Sequence, residues 1–110
     1  MAVKIYRNDK YPVNILARMF RVTELTEFRE DVLDQIVLDE SALKNFISRK
    51  LPILERKVVK MYFQEGYSFE DITYELRGPD TDKDWALRIC ENAMTELRLP
   101  SNMKKYIRFK

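Results

Sequence analysis

The chain has 110 residues, with 20 Lys+Arg against 18 Asp+Glu, no His, one Cys and two Gly. That is one small domain with room for a modest core. The composition excludes a Ser-His-Asp or Cys-His nucleophile, an imidazole metal site, a disulfide framework, a zinc knuckle and a glycine-rich phosphate loop.

No secretory-leader pattern is visible, and no apolar run approaches the ~18 residues of a membrane span. A lone Cys fits a reducing compartment. The expectation is a cytoplasmic protein that is not an enzyme and has no cofactor, metal or membrane partner. Charge alternates along the chain: residues 1–20 carry +3, 21–40 carry −5, 41–65 carry +4, 66–86 carry −4, and 99–110 carry +4 without a single acid. Basic ends flank acidic stretches, so this is not a uniformly basic nucleic-acid binder.

Helical signals run almost throughout. Residues 1–11, where Val3 and Ile5 alternate with polar neighbours, read as a short strand or an extended arm. Pro12 opens a short helix over 13–21 with Ile15, Leu16, Met19 and Phe20 on one face. A helix from Thr23 carries Leu25, Phe28, Val32, Ile36 and Val37 opposite an acidic face. Asp39 caps the next, whose stripe is Leu43, Phe46, Ile47 and Leu51. After Leu51-Pro52 a helix covers Ile53–Glu65 with Leu54, Val58, Met61 and Tyr62 together, and Gly66 ends it. Ser68 and Asp71 have capping-box spacing, with Tyr67 and Ile72 placed for a hydrophobic staple. Gly78-Pro79 stops that helix. Thr81 and Asp84 repeat the capping-box spacing before a last helix over 82–98, with Trp85, Ile89, Ala93 and Leu97 inward. Leu99-Pro100 ends it. The chain thus divides into a helical extension (1–50), a helix-turn-helix layout (51–98) and a basic tail (99–110). The expected fold is all-α, with five or six short helices.

The order helix, turn, short helix, turn, long helix over 51–98 suits a last helix offered to a DNA major groove. Leu51-Pro52, Glu55-Arg56, Val58-Val59, Tyr62-Phe63, the run Gly66-Tyr67-Ser68-Phe69-Glu70-Asp71-Ile72, Leu76, Ile89, Ala93 and Leu97-Arg98 together resemble region four of bacterial RNA polymerase sigma factors. The resemblance covers about 48 of the 110 residues and rests on about a dozen positions spread over that helical layout. It implies a DNA-facing set of Lys83, Asp84, Leu87, Arg88 and Glu91, with Arg98 and Lys104 or Lys105 on phosphates. It also implies a surface for the flap of the polymerase β subunit near Ile53, Arg56, Lys57, Lys60, Met61 and Phe63. Small regulators of this design occur in bacteriophages and mobile elements of bacteria.

Three features depart from the family. The turn filled by Arg77-Gly78-Pro79-Asp80-Thr81-Asp82 is longer, and Leu87 and Glu91 replace basic or amide side chains. Asp80, Asp82 and Asp84 crowd the helix end that should approach phosphate; they complement the macrodipole but repel the backbone. They lack the other ligands of a calcium loop. The leading expectation is a sigma-factor-like regulator that binds RNA polymerase, promoter DNA or both. The alternatives are a protein-interaction module of anti-sigma or co-activator type, or a DNA-recognition subunit of a phage packaging machine. Trp85 is expected to pack inward, with base stacking the other reading. Cys90 is read as a half-buried inert thiol. The tail is either a solvated end or a phosphate-contacting arm.

Overall fold

A computed structural model describes residues 10–21, 33–34 and 36–110. Their elements are α1 (Lys10–Phe20), β1 (Ile36–Leu38), α2 (Glu40–Lys50), α3 (Ile53–Val59, running on as a π-helical turn Lys60–Gln64), α4 (Phe69–Arg77), α5 (Trp85–Arg98), α6 (Pro100–Met103) and β2 (Ile107–Phe109). The architecture is all-α, as expected, with one small antiparallel ribbon in which Ile36 faces Phe109 and Leu38 faces Ile107.

Helix α5 is the centre of packing, against α3, α4, α1 and α6. Its buried face is Ala86, Cys90, Ala93, Met94 and Leu97. The expected row Trp85, Ile89, Ala93, Leu97 is rotated by one position at its start, because rows four apart drift around a helix of 3.6 residues per turn. Trp85 and Ile89 are therefore half-buried, and Cys90 is fully inside rather than half-buried.

Helix α3 changes winding at Lys60. The buried positions are Val58, Val59 and Phe63, whereas α-helical spacing from Val58 selects Tyr62. The π turn places one more residue in the loop of each hydrogen bond, as in the Glu65 amide donating to the Lys60 carbonyl (3.1 Å). Phe63, four residues after buried Val59, is the inward position of this turn. Met61 and Tyr62 end half-buried, and Leu54 is exposed. Gly66 then closes the helix at positive φ (79°), and the Tyr67 amide donates to the Met61 carbonyl. That is a Schellman-like bond, one residue wider than usual.

Several boundary readings need correction. The expected strand or arm over 1–11 falls mostly outside the described residues, and α1 already begins at Lys10. The helix from Thr23 also lies largely outside them. Its last two apolar positions, Ile36 and Val37, belong to β1, where Ile36 is buried and Val37 is 43% exposed. The run Ile-Val-Leu has the branched side chains a pleated, half-buried strand accommodates. The tail is not a solvated end: α6 and β2 pack it onto the body, and Tyr106 (1% exposed) and Ile107 are core residues. The Tyr106 hydroxyl donates to the Leu97 carbonyl, and its ring meets Phe46 edge-on at 5.7 Å.

Candidate functional site

Two caps fix the helices around the candidate site. Asp39 Oδ1 accepts from the Ala42 amide (3.0 Å) at the start of α2, and Ser68 Oγ accepts from the Asp71 amide (3.0 Å) at the start of α4. Both were legible as cap residues before helical runs. The cap expected from Thr81 and Asp84 is absent. Asp84 occupies the N-cap position of α5 without a side-chain capping bond. Thr81 instead turns its hydroxyl to the Arg77 carbonyl. Asp82 organises the turn: its Oδ1 accepts from the Asp84 amide (3.0 Å) and its carbonyl from the Trp85 amide. This is an Asx turn, which competes with a capping box for the same backbone donors.

The tie between α4 and α5 is Thr73, a buried polar residue missed by the sequence reading. Its hydroxyl donates to the Phe69 carbonyl (2.9 Å) and accepts from the Ala86 amide (3.0 Å). The Ala86 amide lies in the first turn of α5, where no helical carbonyl is available to it. Only its place on the inward face beside Ile72 could have signalled this role.

Lys83, Asp84, Leu87 and Arg88 come together at the N-terminal end of α5. Lys83, Asp84 and Leu87 line a groove of about 410 Å³ shared with Ser68, Glu70 and the stacked pair Tyr62–Phe69. Those two rings lie parallel at 4.1 Å. Glu91 follows one turn along the same side of α5 and is half-buried. Arg88 is exposed but occupied: its Nη2 pairs with Asp82 at 2.5 Å. The Asp84 amide and then Arg88 hold the Asp82 carboxyl below its ordinary range, and Asp82 raises the Arg88 guanidinium in turn. Arg77 lies over the half-buried Trp85 ring at 5.5 Å, a cation–π contact.

Arg98, Lys104 and Lys105 are not part of that cluster. They lie at and beyond the opposite end of the 14-residue α5, about 20 Å away at 1.5 Å per residue. Lys105 sits over the Phe46 ring, 5.8 Å from its centroid.

On α3, Ile53, Arg56, Lys57 and Lys60 recur at helical spacing on one face. Ile53 is 66% exposed, Lys57 and Lys60 are exposed, and Met61 is half-buried. Phe63 must be removed from this surface: it follows buried Val59 by one turn and is only 1% exposed. Arg56 is partly withdrawn as well: its Nη1 donates to the Ser48 carbonyl (3.0 Å), joining α3 to α2. Beside it, burial and then the Glu96 charge raise the Glu55 carboxyl above its usual range. Among the described residues, no three acidic, Cys or His side chains are grouped to hold a metal, and no helix is long and apolar enough to cross a membrane.

No family model, curated protein or solved structure matches the chain.

Proposed function

We propose that the chain is a sigma-factor-like transcription regulator that contacts RNA polymerase, promoter DNA or both through residues 51–98. The observation that carries this reading is the Thr73 latch, which joins a Ser68-capped short helix to the first turn of a long one. The segment it joins is the one whose Gly66–Ile72 sequence resembles sigma region four. Exposed Lys83 and half-exposed Leu87 at the start of α5 suit base and phosphate approach. The face of Ile53, Lys57 and Lys60 suits the polymerase flap, with an apolar contact beside two cations.

The test is capture of bacterial RNA polymerase by the purified chain, beside a DNA titration at two salt concentrations. Polymerase capture, or DNA affinity that falls steeply with salt, is expected. Loss of both refutes the proposal.

A second reading is favoured by the Asp82–Arg88 pair. It engages a cation aimed at DNA, and Asp80 and Asp84 add repulsion. In that reading the chain binds polymerase as a protein-interaction module. It then captures polymerase but retains no DNA at physiological salt.

A further inference from the structure

Helix α2 presents one stripe that lines an open depression. Ala42, Asn45, Phe46, Arg49 and Lys50 follow one another at helical spacing, and Lys105 closes the far wall. Together they form an open depression of about 240 Å³. Its floor is carbon: the Ala42 methyl and the small part of Phe46 left open (6% exposed), whose ring lies against Tyr106 and beneath the movable Lys105 ammonium at 5.8 Å. Its rim is cationic. Among the described residues, Arg49, Lys50 and Lys105 make no ion pair. The adjoining segment 99–110 adds Lys104, Arg108 and Lys110 and contains no acid.

We infer that this depression docks a short acidic peptide segment of another protein, with one bulky apolar side chain seated on Ala42 and Phe46. Charge complementarity identifies the occupant: three cations around an apolar floor match carboxylates around an apolar anchor. A sugar-phosphate backbone satisfies the rim but leaves the floor unused. Small Ala42 provides the space for the anchor, and the Asn45 amide offers hydrogen bonds to the peptide backbone. Five of the six residues lie on α2, outside the sigma-like reading, and Lys105 alone is shared with the phosphate contacts that reading implies.

The experiment uses the full chain and fluorescence anisotropy. The probes are a labelled heptapeptide of Asp and Glu around one central Phe, the same peptide with Ser in place of Phe, and a short duplex DNA. The Phe peptide is expected to saturate, and the Ser peptide to bind about tenfold more weakly. Arg49→Gln with Lys105→Gln should weaken the Phe peptide about tenfold and flatten its salt dependence. Amide shifts on the unmodified chain should centre on Ala42, Asn45, Arg49 and Lys105, a readout that does not depend on the variants' folding. Three results overturn the inference: no saturation, equal binding of the Ser peptide, or displacement by duplex DNA whose own affinity falls in the double variant. Polymerase capture and promoter binding can fail without touching it, and Arg49→Gln alone, which spares the shared Lys105, separates peptide docking from phosphate contact.

Discussion

Replacing Tyr106 by Phe and by Ala separates what the C-terminal segment contributes by bonding from what it contributes by packing. The hydroxyl donates to the Leu97 carbonyl near the end of α5, and the ring is 1% exposed against Phe46. Tyr106→Phe keeps the ring and removes one buried hydrogen bond. The expected loss is about 1 kcal/mol, rising toward ~3 kcal/mol if the carbonyl is left dry. A loss of about 1 kcal/mol lowers Tm by roughly 4–8 °C in a domain of this size. Tyr106→Ala removes the ring too, and large aromatic truncations cost about 3–5 kcal/mol. Against a total of about 5–15 kcal/mol, that brings the chain close to unfolding. Urea denaturation followed by far-UV circular dichroism measures both. Burial also raises the phenol's pKa, so the folded state holds this proton more tightly than the unfolded chain. Its contribution is complete below the unfolded value near pH ~10 and is lost as pH rises through the folded one. The gap between wild type and Tyr106→Phe should therefore narrow in alkali. If Tyr106→Ala lies within ~1 kcal/mol of wild type, the tail is not part of the core.

Thr73→Val should cost about 1–3 kcal/mol by leaving the Ala86 amide unpaired, and it should speed hydrogen exchange of that amide, while Thr73→Ser restores protection; equal exchange in all three would exclude the latch. Gly78 has φ 92° and ψ 177°, a region essentially confined to glycine. A Cβ there meets no atom within 4 Å, so the cost of Gly78→Ala, about 1–3 kcal/mol by thermal melt, is purely conformational. Asp82→Asn should release Arg88, raise affinity for duplex DNA and steepen its salt slope by about one phosphate equivalent; unchanged binding would place Arg88 away from DNA. Because the Asp82 pKa is lowered, its contribution to stability is present above the unfolded carboxyl's pKa and disappears as pH falls through the folded value. The Asp82→Asn melt should be the flatter of the two in acid.

The sequence shows an element most clearly where a single residue does a local job. Asp39 and Ser68 cap because a short acceptor precedes a helical run, and Gly66 and Gly78 stop helices because they reach positive φ. It hides whatever is decided at long range. Ile36–Leu38 has no strand partner until residue 107, so helical continuation was the natural local reading. Tyr106 and Ile107 look like aromatic and apolar punctuation in a basic tail until β1 and α5 supply their contacts. The π turn is invisible because Val58, Met61 and Tyr62 also fit an α-helix, whereas Phe63 follows buried Val59 by one helical turn. Thr73 reads as a helical residue of middling propensity, and its hydroxyl matters only once the Ala86 amide is beside it. At the candidate site, Lys83, Asp84, Leu87 and Arg88, which the resemblance singled out, lie within two turns of one helix end. The Asp82–Arg88 pair required the actual path of the turn.

The two ends of α5 carry opposite charge for a reason that does not depend on function. Asp82 and Asp84 stand at its N-terminal end, and Arg98 with the Lys104–Lys105 segment at its C-terminal end. Asp82, Asp84 and Arg98 have the signs that the macrodipole favours at their respective ends. The separation of about 20 Å exceeds the Debye length of about 8 Å at physiological salt. The basic end therefore does not neutralise the acidic one, and a polyanion meets two distinct fields. It is drawn to the C-terminal end and meets the repelling carboxylates of Asp80, Asp82 and Asp84 at the N-terminal end, which is the end that would enter a groove under the proposed function. Lys83 and Arg88 oppose that repulsion, but Arg88 is already committed to Asp82. Phosphate approach at this end must first break that pair or tolerate its carboxylate. The same pair leaves the α3 face of Ile53, Lys57 and Lys60 untouched. Within the proposed function, electrostatics thus weigh toward the polymerase contact. Asp82→Asn tests the DNA contact most directly, because it changes the field at the entering end while leaving α3 unaltered.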